Sequence, residues 1–296
     1  MNFQYPENID FPSKAVMPYI KEAILRIAPE KFNEIKSHIA DVELIITDNE
    51  DWDCKTSKDW KVIFLSRKSI EIIWAICYGY YQFYTNICNG VQPDGQKVDI
   101  SDNDKLFSAR ILLTWAFNHL TKKEINEIPQ GVPSIADKIQ RDSDEHAIIE
   151  ITLCTIAFFL HHELAHIKFA NNQFKNPIEE EWACDEEAIN VILNDANEAE
   201  FNKRAFGISV GLLLINGIGT ESKFYDGLEH PFAYDRLVLN LEKKISKEND
   251  NIWGWVVAIL ALHMTNANIP QPNTVFENFY QCAKGYRSLL EEHSNK

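Results

Sequence analysis

The sequence predicts a mostly helical α+β fold in which a single domain covers residues 1–296. The chain has 296 residues, 45% of them apolar, so it can bury a large core. Two short strand-like runs, Val42–Thr47 and Trp60–Leu65, predict only a small sheet. The longer apolar stretches are either shorter than a membrane span or interrupted by polar residues, which predicts buried helices. These stretches are Ile70–Ile87, Ile148–Leu160, Phe206–Ile218 and Ile252–Met264.

The N-terminal half supplies the predicted sheet and the first helices. Apolar residues at helical spacing predict a helix from Pro18 to about His38, which Pro29 breaks or kinks. Residues 48–59, between the two strand-like runs, are polar and rich in turn formers, which predicts a hairpin with a long loop. Beyond it we expect a helix, a loop with the character of a lid and a second helix: Ser66–Cys88, Asn89–Lys105 and Leu106–Leu120.

The C-terminal half begins with an apolar helix. Asp142 and Glu145 form a capping-box-like pair, which predicts the start of a helix that runs to about Asn171. Asn176 and Pro177 then have the character of an N-cap and a first helical residue, so a second helix follows after a short connection. Further helices are expected over Lys203–Ile215, from Pro231 onward, and on both sides of Ile269–Pro272 after Asn251.

Composition and cysteine usage narrow the class of protein. The chain has 29 Lys and Arg against 44 Asp and Glu, and its net charge of −15 argues against a nucleic-acid partner. The six cysteines form no CxxC pair, and Cys77, Cys154 and Cys184 lie in apolar or helical stretches, as buried thiols of a reducing compartment do. The N-terminus lacks the basic and apolar regions of a signal peptide. We therefore expect a cytoplasmic protein without a transmembrane segment.

The motif His162-Glu163-Leu164-Ala165-His166 follows the apolar run Ile148–Leu160. Histidines four residues apart lie about one turn from each other on one face of a helix, so both rings can reach one zinc ion. Glu163 lies beside the first ligand, where a carboxylate can act as general base toward a bound water. His161 is rotated about 100° around the helix and is interpreted as a neighbour of the site. The alternative is a solvated helix end without metal.

A catalytic zinc site needs a third protein ligand, and the next helix offers one. Glu181 and Asp185 are four residues apart and share a helix face. We expect Glu181 to complete a site for one Zn²⁺ per chain, with Glu180 and Asp185 as alternatives. Asp185 can instead accept the second N–H of a ligand histidine in the outer shell of the metal. The alternative for the acidic run from Glu179 is a solvated helix start that the helix dipole favours.

Three motifs in order resemble those of gluzincin metallopeptidases, in particular the HtpX-like and CAAX-prenyl-protease families. HExxH is followed by Glu181-Trp-Ala-Cys-Asp185, in which Cys184 stands where those families usually have Ala. The third motif, His-Pro with an Arg five residues after the Pro, is here His230-Pro-Phe-Ala-Tyr-Asp-Arg236. The motifs cover residues 162–236. The chain departs from those families in the short gap between the first two motifs and in its lack of membrane spans.

The gluzincin resemblance implies a zincin-like domain in which the small sheet lies beside the active-site helix and its edge strand binds extended peptide. The zinc-site core then covers about residues 142–247, with helical N- and C-terminal parts packed on it. His230 is a candidate catalytic residue that stabilises the oxyanion of the tetrahedral intermediate, and Tyr234 and Arg236 are further candidates. The alternative is that His230 and Arg236 only hold the wall of the site together by bonding to acidic residues.

The chain length and the position of HExxH slightly past the midpoint also resemble the Lit phage-exclusion peptidases. That resemblance implies cleavage of elongation factor Tu during phage infection, triggered by a phage-derived peptide. The expected reaction is hydrolysis of a peptide bond in a protein substrate, with Glu163 as general base. Two alternatives stay open: a catalytically silent zinc-containing binding or regulatory protein, and a peptidase that clips a transcriptional repressor. A silent site closes its fourth zinc position, whereas an enzyme keeps that position open to water.

Overall fold

The computed structural model describes residues 2–4, 16–88, 104–120, 129, 139–217, 231–266, 268–272 and 274–294. Within these ranges the fold is mostly helical with one small mixed sheet, as the sequence predicts. The strands are β1 (Asn2–Gln4), β2 (Glu43–Thr47), β3 (Cys54–Ser57) and β4 (Val62–Ser66). The helices are α1 (Ile20–Arg26), α2 (Phe32–His38), α3 (Arg67–Phe83), α4 (Asp104–Leu120), α5 (Asp144–Lys168), α6 (Pro177–Leu193), α7 (Glu198–Gly217), α8 (Ala233–Glu242), α9 (Asp250–Asn266) and α10 (Phe279–Ser294).

The predicted break at Pro29 is confirmed. Pro29 opens a short 3₁₀ turn that ends at Lys31, and this turn separates α1 from α2. Ser66 caps α3 by accepting a hydrogen bond from the Ser69 N–H, so that β4 passes directly into this helix. The hydroxyl of a serine at this position satisfies one of the backbone donors that a helix start leaves unpaired. The first helices and the last strand therefore begin and end close to where the sequence predicts.

The predicted hairpin is wrong. The order of strands is β1-β2-β4-β3, with β1, β2 and β4 parallel and β3 antiparallel to β4. The two apolar strands β2 and β4 are parallel neighbours, and the polar stretch between them contains an edge strand, Cys54–Ser57. An edge strand with partly exposed side chains does not need the apolar alternation by which a strand is recognised in sequence, so the prediction missed β3.

The longest described helix, α5, starts one residue later than the capping-box pair predicts. The N-cap is Ser143, whose side chain accepts from the His146 N–H, while Asp142 has a positive φ of 66° and lies outside the helix. A hydroxyl in the extended conformation is a better cap than a residue in the left-handed region. The helix begins at Asp144 and carries the HExxH motif in its last two turns.

Helix α7 holds α5 at very close range. A Cβ added at Gly207 would lie 2.4 Å from the Cβ of Cys154, and one added at Gly211 would lie 2.4 Å from Phe158 Cδ1. The Thr155 hydroxyl donates to the Gly207 carbonyl across this contact at 3.0 Å. Only residues without a side chain fit at such an approach. The position of α5 is therefore set by backbone packing and not only by its apolar side chains.

Among the described helices, α5 alone is long and apolar enough to cross a membrane by length and composition. Of its 18-residue apolar window, 83% is buried inside the protein. Core helices show this degree of burial, since protein and not lipid surrounds them. The packing of α5 matches the sequence interpretation of this stretch as a buried helix.

The C-terminal helices follow the sequence prediction except at one helix start. Helices α9 and α10 lie on both sides of Ile269–Pro272, as expected. Helix α8 starts at Ala233 and not at Pro231, because Phe232 has a ψ of 137° and is not helical. Residues 89–103, 121–128 and 130–138, which include most of the predicted lid, lie outside the described residues.

Candidate metal centre

The two histidines of the motif lie on one face of α5 with their rings turned toward each other. The Nε2 atoms of His162 and His166 are 3.2 Å apart. Glu181 on α6 lies opposite, with one carboxylate oxygen 3.5 Å from His162 Nε2 and the other 3.4 Å from His166 Nε2. Asn176 caps α6 as the sequence predicts, and this start directs Glu181 toward α5. One ligand atom from each of the three side chains lies within 4.8 Å of the others.

The separations between these atoms fit a zinc ion. Zinc bonds of about 2.0–2.2 Å at a tetrahedral angle place neighbouring nitrogen and oxygen ligands about 3.3–3.6 Å apart. The observed separations of 3.2, 3.4 and 3.5 Å are close to that range. His162, His166 and Glu181 therefore fit a three-ligand site, the number that leaves a fourth position open in catalytic zinc enzymes.

Each histidine has a carboxylate behind it. His162 Nδ1 lies 3.0 Å from Asp185 Oδ1, and His166 Nδ1 lies 2.7 Å from Glu180 Oε1. In a metal-bound histidine, a carboxylate close to Nδ1 favours a proton on that nitrogen and so leaves the lone pair of Nε2 for the metal. Two lone pairs and a carboxylate that face one another repel unless a cation lies among them. Both rings therefore have the orientation that metal ligands need.

Glu180 is the residue whose position the sequence did not predict. The sequence offers it only as an alternative third ligand, whereas the structure puts it on the far side of the His166 ring. Neighbouring helical residues point about 100° apart, so Glu181 can face the cluster while Glu180 faces the flank of His166. The signal was the acidic run at the start of α6, which the helix dipole explains equally well.

Burial and charge set the protonation of the site. Burial lowers the pKa of His162, but Asp185 and Glu181 outweigh it and raise the pKa to about 10. Burial raises the pKa of Asp185, yet Arg236 and His162 hold it below its ordinary value. The cluster therefore attracts positive charge strongly, as a proton or as a metal ion. Burial raises the pKa of Glu163 and the two histidines offset only part of this, so the carboxylate gains basicity.

The edge strand β3 runs alongside the motif. Trp52, just before the strand, packs edge-on against Phe159 of α5, with 5.5 Å between the ring centroids. At Cys54, the first residue of β3, burial and then the charge of Glu163 raise the thiol pKa. Lys58, just after β3, forms an ion pair with Glu180 on α6. Within the described residues β3 pairs only with β4, so its other edge faces away from the sheet.

Arg236 reaches the site from α8 and is fully buried. Its Nε and Nη2 donate to the two carboxylate oxygens of Asp185 at 2.7 and 2.5 Å, and Nη2 also lies 3.2 Å from Glu181. The Asn240 amide donates to Asp185 as well, at 3.2 Å. These contacts place Arg236 behind the cluster. Its geometry matches the alternative in which it holds the wall of the site by bonding to acidic side chains.

Of the two other candidate oxyanion stabilisers, Tyr234 and His230, the structure describes only Tyr234. The Tyr234 hydroxyl lies 3.3 Å from His263 Nδ1, and His263 Nε2 lies 2.7 Å from the Tyr80 hydroxyl. These contacts join α8 to α9 and α3, and the structure does not bring Tyr234 into contact with the metal cluster through any described hydrogen bond. His230 lies outside the described residues.

A second group of potential ligands shares His166 and adds Glu180 and Cys184. Burial and then the neighbouring carboxylates raise the pKa of the Cys184 thiol far above its ordinary value, so the thiol stays protonated and is a poor metal ligand. Glu180 is already paired with the cation of Lys58. The group formed by the two motif histidines and Glu181 is therefore the better metal site.

His161 points away from this site. Its Nε2 lies 3.0 Å from the carbonyl oxygen of Ile24 on α1. Burial lowers its pKa to about 4, so the ring is neutral and its N–H donates to that carbonyl. This contact agrees with the interpretation of His161 as a neighbour of the site, and it ties α5 to the N-terminal helices.

Comparison with known proteins relates the chain to peptidases. Residues 63–256 match the Peptidase U49 family, and this range contains the motif helix, α6 and Arg236. A protein of Escherichia coli (strain K12) described as "Cell death peptidase" is 28% identical over 232 residues, which are 75% of this chain and 78% of that protein. No solved structure matches the chain. The predicted resemblance to metallopeptidases of the Lit type is confirmed. The chain is a peptidase that belongs to the Peptidase U49 family.

Proposed function

We propose that this peptidase is a zinc-dependent endopeptidase in which His162, His166 and Glu181 hold one Zn²⁺. The observation that carries the proposal is the arrangement of the two imidazoles. Both Nε2 atoms face Glu181 at 3.4–3.5 Å, while both Nδ1 atoms lie against carboxylates. This arrangement is stable only around a cation, and its separations suit zinc.

The ion would lower the pKa of a water molecule and polarise the scissile carbonyl of the substrate. Glu163 follows His162 on α5 and is buried, which raises its pKa. In this position it takes the proton of the attacking water and passes it to the leaving amine. A carboxylate of raised pKa suits both steps, because it accepts a proton readily and still releases it.

The residues behind the ligands keep the rings and the carboxylate in place. Asp185 orients His162, Glu180 orients His166, and Arg236 holds Asp185 and Glu181 together. Full burial gives Arg236 no access to substrate, so we assign it a positioning role. His230 remains our candidate for the group that stabilises the oxyanion. The hydroxyl of Tyr234, the other candidate, is turned to His263, so we expect Tyr234 to take no part in that step.

The substrate is proposed to bind as an extended segment along the edge of β3 that pairs with no other described strand. This strand passes Glu163 and ends beside Glu180, so a segment paired with it would cross the metal centre. Strand addition holds main-chain groups and accepts many sequences. The protein substrate implied by the Lit resemblance is elongation factor Tu, cleaved in the cytoplasm during phage infection after activation by a phage-derived peptide.

The first test is the Glu163→Gln variant. It should bind zinc as the wild-type protein does and lose peptide-bond hydrolysis by several orders of magnitude, because it cannot take the proton of the water. Zinc content is measured by elemental analysis. Cleavage is measured by mapping new protein N-termini in bacterial lysate with and without phage infection.

Each outcome of this experiment has a separate meaning. One cut in elongation factor Tu that needs Glu163 and infection supports the whole proposal. A Glu163-dependent cut in another protein, such as a repressor, keeps the zinc peptidase and rejects the substrate. Equal cleavage by wild type and variant contradicts the role of Glu163. A protein that binds no zinc but cuts contradicts the metal site.

A further inference from the structure

Glu180 joins three elements of the fold through one carboxylate. Its Oε1 lies 2.7 Å from His166 Nδ1 on α5, and the same oxygen forms an ion pair with Lys58 Nζ. Glu180 itself belongs to α6, one residue before the proposed ligand Glu181. The motif helix, the carboxylate helix and the end of the edge strand therefore meet at this side chain.

Lys58 occupies a particular place in the sheet. It is the first residue after β3, in the four-residue turn that leads to β4. The Lys58 side chain is 40% exposed and the Glu180 side chain 20% exposed, so the pair lies at the protein surface. The turn that ends the edge strand is thus bonded to the outer shell of the metal centre.

We propose that Lys58 is a positioning residue for His166, acting through Glu180, so that the turn after β3 sets the affinity of the site for its metal. This inference rests on the proposed zinc site at His162, His166 and Glu181. Without Lys58, the Glu180 carboxylate can rotate toward solvent and no longer fixes the ring of His166. The edge strand would then have two roles. It would bind the substrate, and the turn at its end would position the metal ligand His166.

The expected magnitudes follow from the distance of each residue from the metal. Removal of an outer-shell carboxylate typically weakens metal binding by about 10- to 100-fold, and we expect this of Glu180→Gln. Lys58 contacts Glu180 and not the histidine itself, and its ion pair with Glu180 lies at the surface. Lys58→Met should therefore weaken zinc binding by only about two- to fivefold.

The chain offers a closely matched control. Lys168 on α5 pairs with Glu187 on α6 at 2.6 Å, with exposures of 42% and 23%. This pair also links α6 to another element and has nearly the same exposure as the pair of Lys58 and Glu180. Glu187 forms no described contact with a ligand histidine. Lys168→Met should therefore leave zinc affinity unchanged.

The experiment measures zinc dissociation constants of the metal-free full-length protein by competition with a chelator. The variants are Lys58→Met, Lys58→Arg, Glu180→Gln, the double variant Lys58→Met/Glu180→Gln, and Lys168→Met. Lys58→Arg should restore wild-type affinity, because it keeps the cation. In the double variant the loss should equal that of Glu180→Gln alone, since Lys58 acts only through Glu180. Unfolding of each metal-free variant checks that the fold is intact.

Additive losses in the double variant would overturn the inference, and so would equal effects of Lys58→Met and Lys168→Met. Either result leaves the zinc site standing, provided that the wild-type protein binds zinc. Failure of the wild-type protein to bind zinc would instead reject the proposed function itself. A cobalt-substituted protein gives a second signal, because the ligand-field absorption should change in Lys58→Met and not in Lys168→Met.

Discussion

The two histidines of the candidate metal centre have chemically equivalent partners in very different surroundings. Behind His162, Asp185 is fully buried and receives donors from Arg236 and Asn240 on α8. Behind His166, Glu180 lies near the surface and forms an ion pair with Lys58 in the turn after β3. Both carboxylates orient an imidazole, but only the first is part of the protein core.

This difference separates what folding secures from what the surface can adjust. Breaking the contacts of a buried carboxylate that is held by two donors costs much stability, so we expect the protein core to fix the orientation of His162. A carboxylate near solvent exchanges its partner at small cost, so the orientation of His166 should depend on the turn that carries Lys58, as we propose. In the proposed zinc site, one ligand histidine would then be held by the core, and the other could be influenced by the proposed substrate-binding edge of β3.

The strongest test of this comparison is Asp185→Ala. The substitution leaves the guanidinium of Arg236 buried with its main partner removed, and breaking a buried ion pair in this way costs about 3–5 kcal/mol. We expect that decrease in the free energy of unfolding, measured by urea denaturation of the metal-free protein so that zinc binding does not contribute. A loss below about 1 kcal/mol would mean that Asp185 is no more part of the core than a surface residue is.

The corresponding change on the other side is Glu180→Ala. Its pair with Lys58 is of surface character, so the free energy of unfolding should fall by no more than about 1 kcal/mol. The same denaturation experiment measures it. A loss as large as that of Asp185→Ala would remove the distinction between the two sides of the centre.

The smallest effect on catalysis is expected from Tyr234→Phe. The hydroxyl contacts His263 and not the cluster, so its removal should cost about 1 kcal/mol of stability and leave kcat nearly unchanged. A donor to the oxyanion would behave differently, because its loss lowers kcat by about 10²- to 10³-fold. Steady-state kinetics on a cleaved substrate separates these outcomes, with Glu163→Gln as the inactive reference.

Local patterns predicted the helices well and the sheet poorly. The break at Pro29, the N-cap at Asn176 and the buried helix before His162 each depend on residues close in sequence, and each is confirmed. The hairpin is wrong because strand pairing joins distant segments, and the polar stretch that contains β3 has no apolar alternation. The cap of α5 is displaced from Asp142 to Ser143 because neighbouring polar residues compete for one position.

The sequence by itself determined which residues are the candidate metal ligands and which faces of their helices they share. Spacing alone places His162 and His166 on one helix face and Glu181 and Asp185 on another, since 3.6 residues make one turn. Only the tertiary structure decided which carboxylate faces which histidine, that Arg236 lies buried behind them, and that Lys58 reaches Glu180. Those contacts join residues from separate elements, and the packing of whole helices and strands, not the spacing within one of them, brings such residues together.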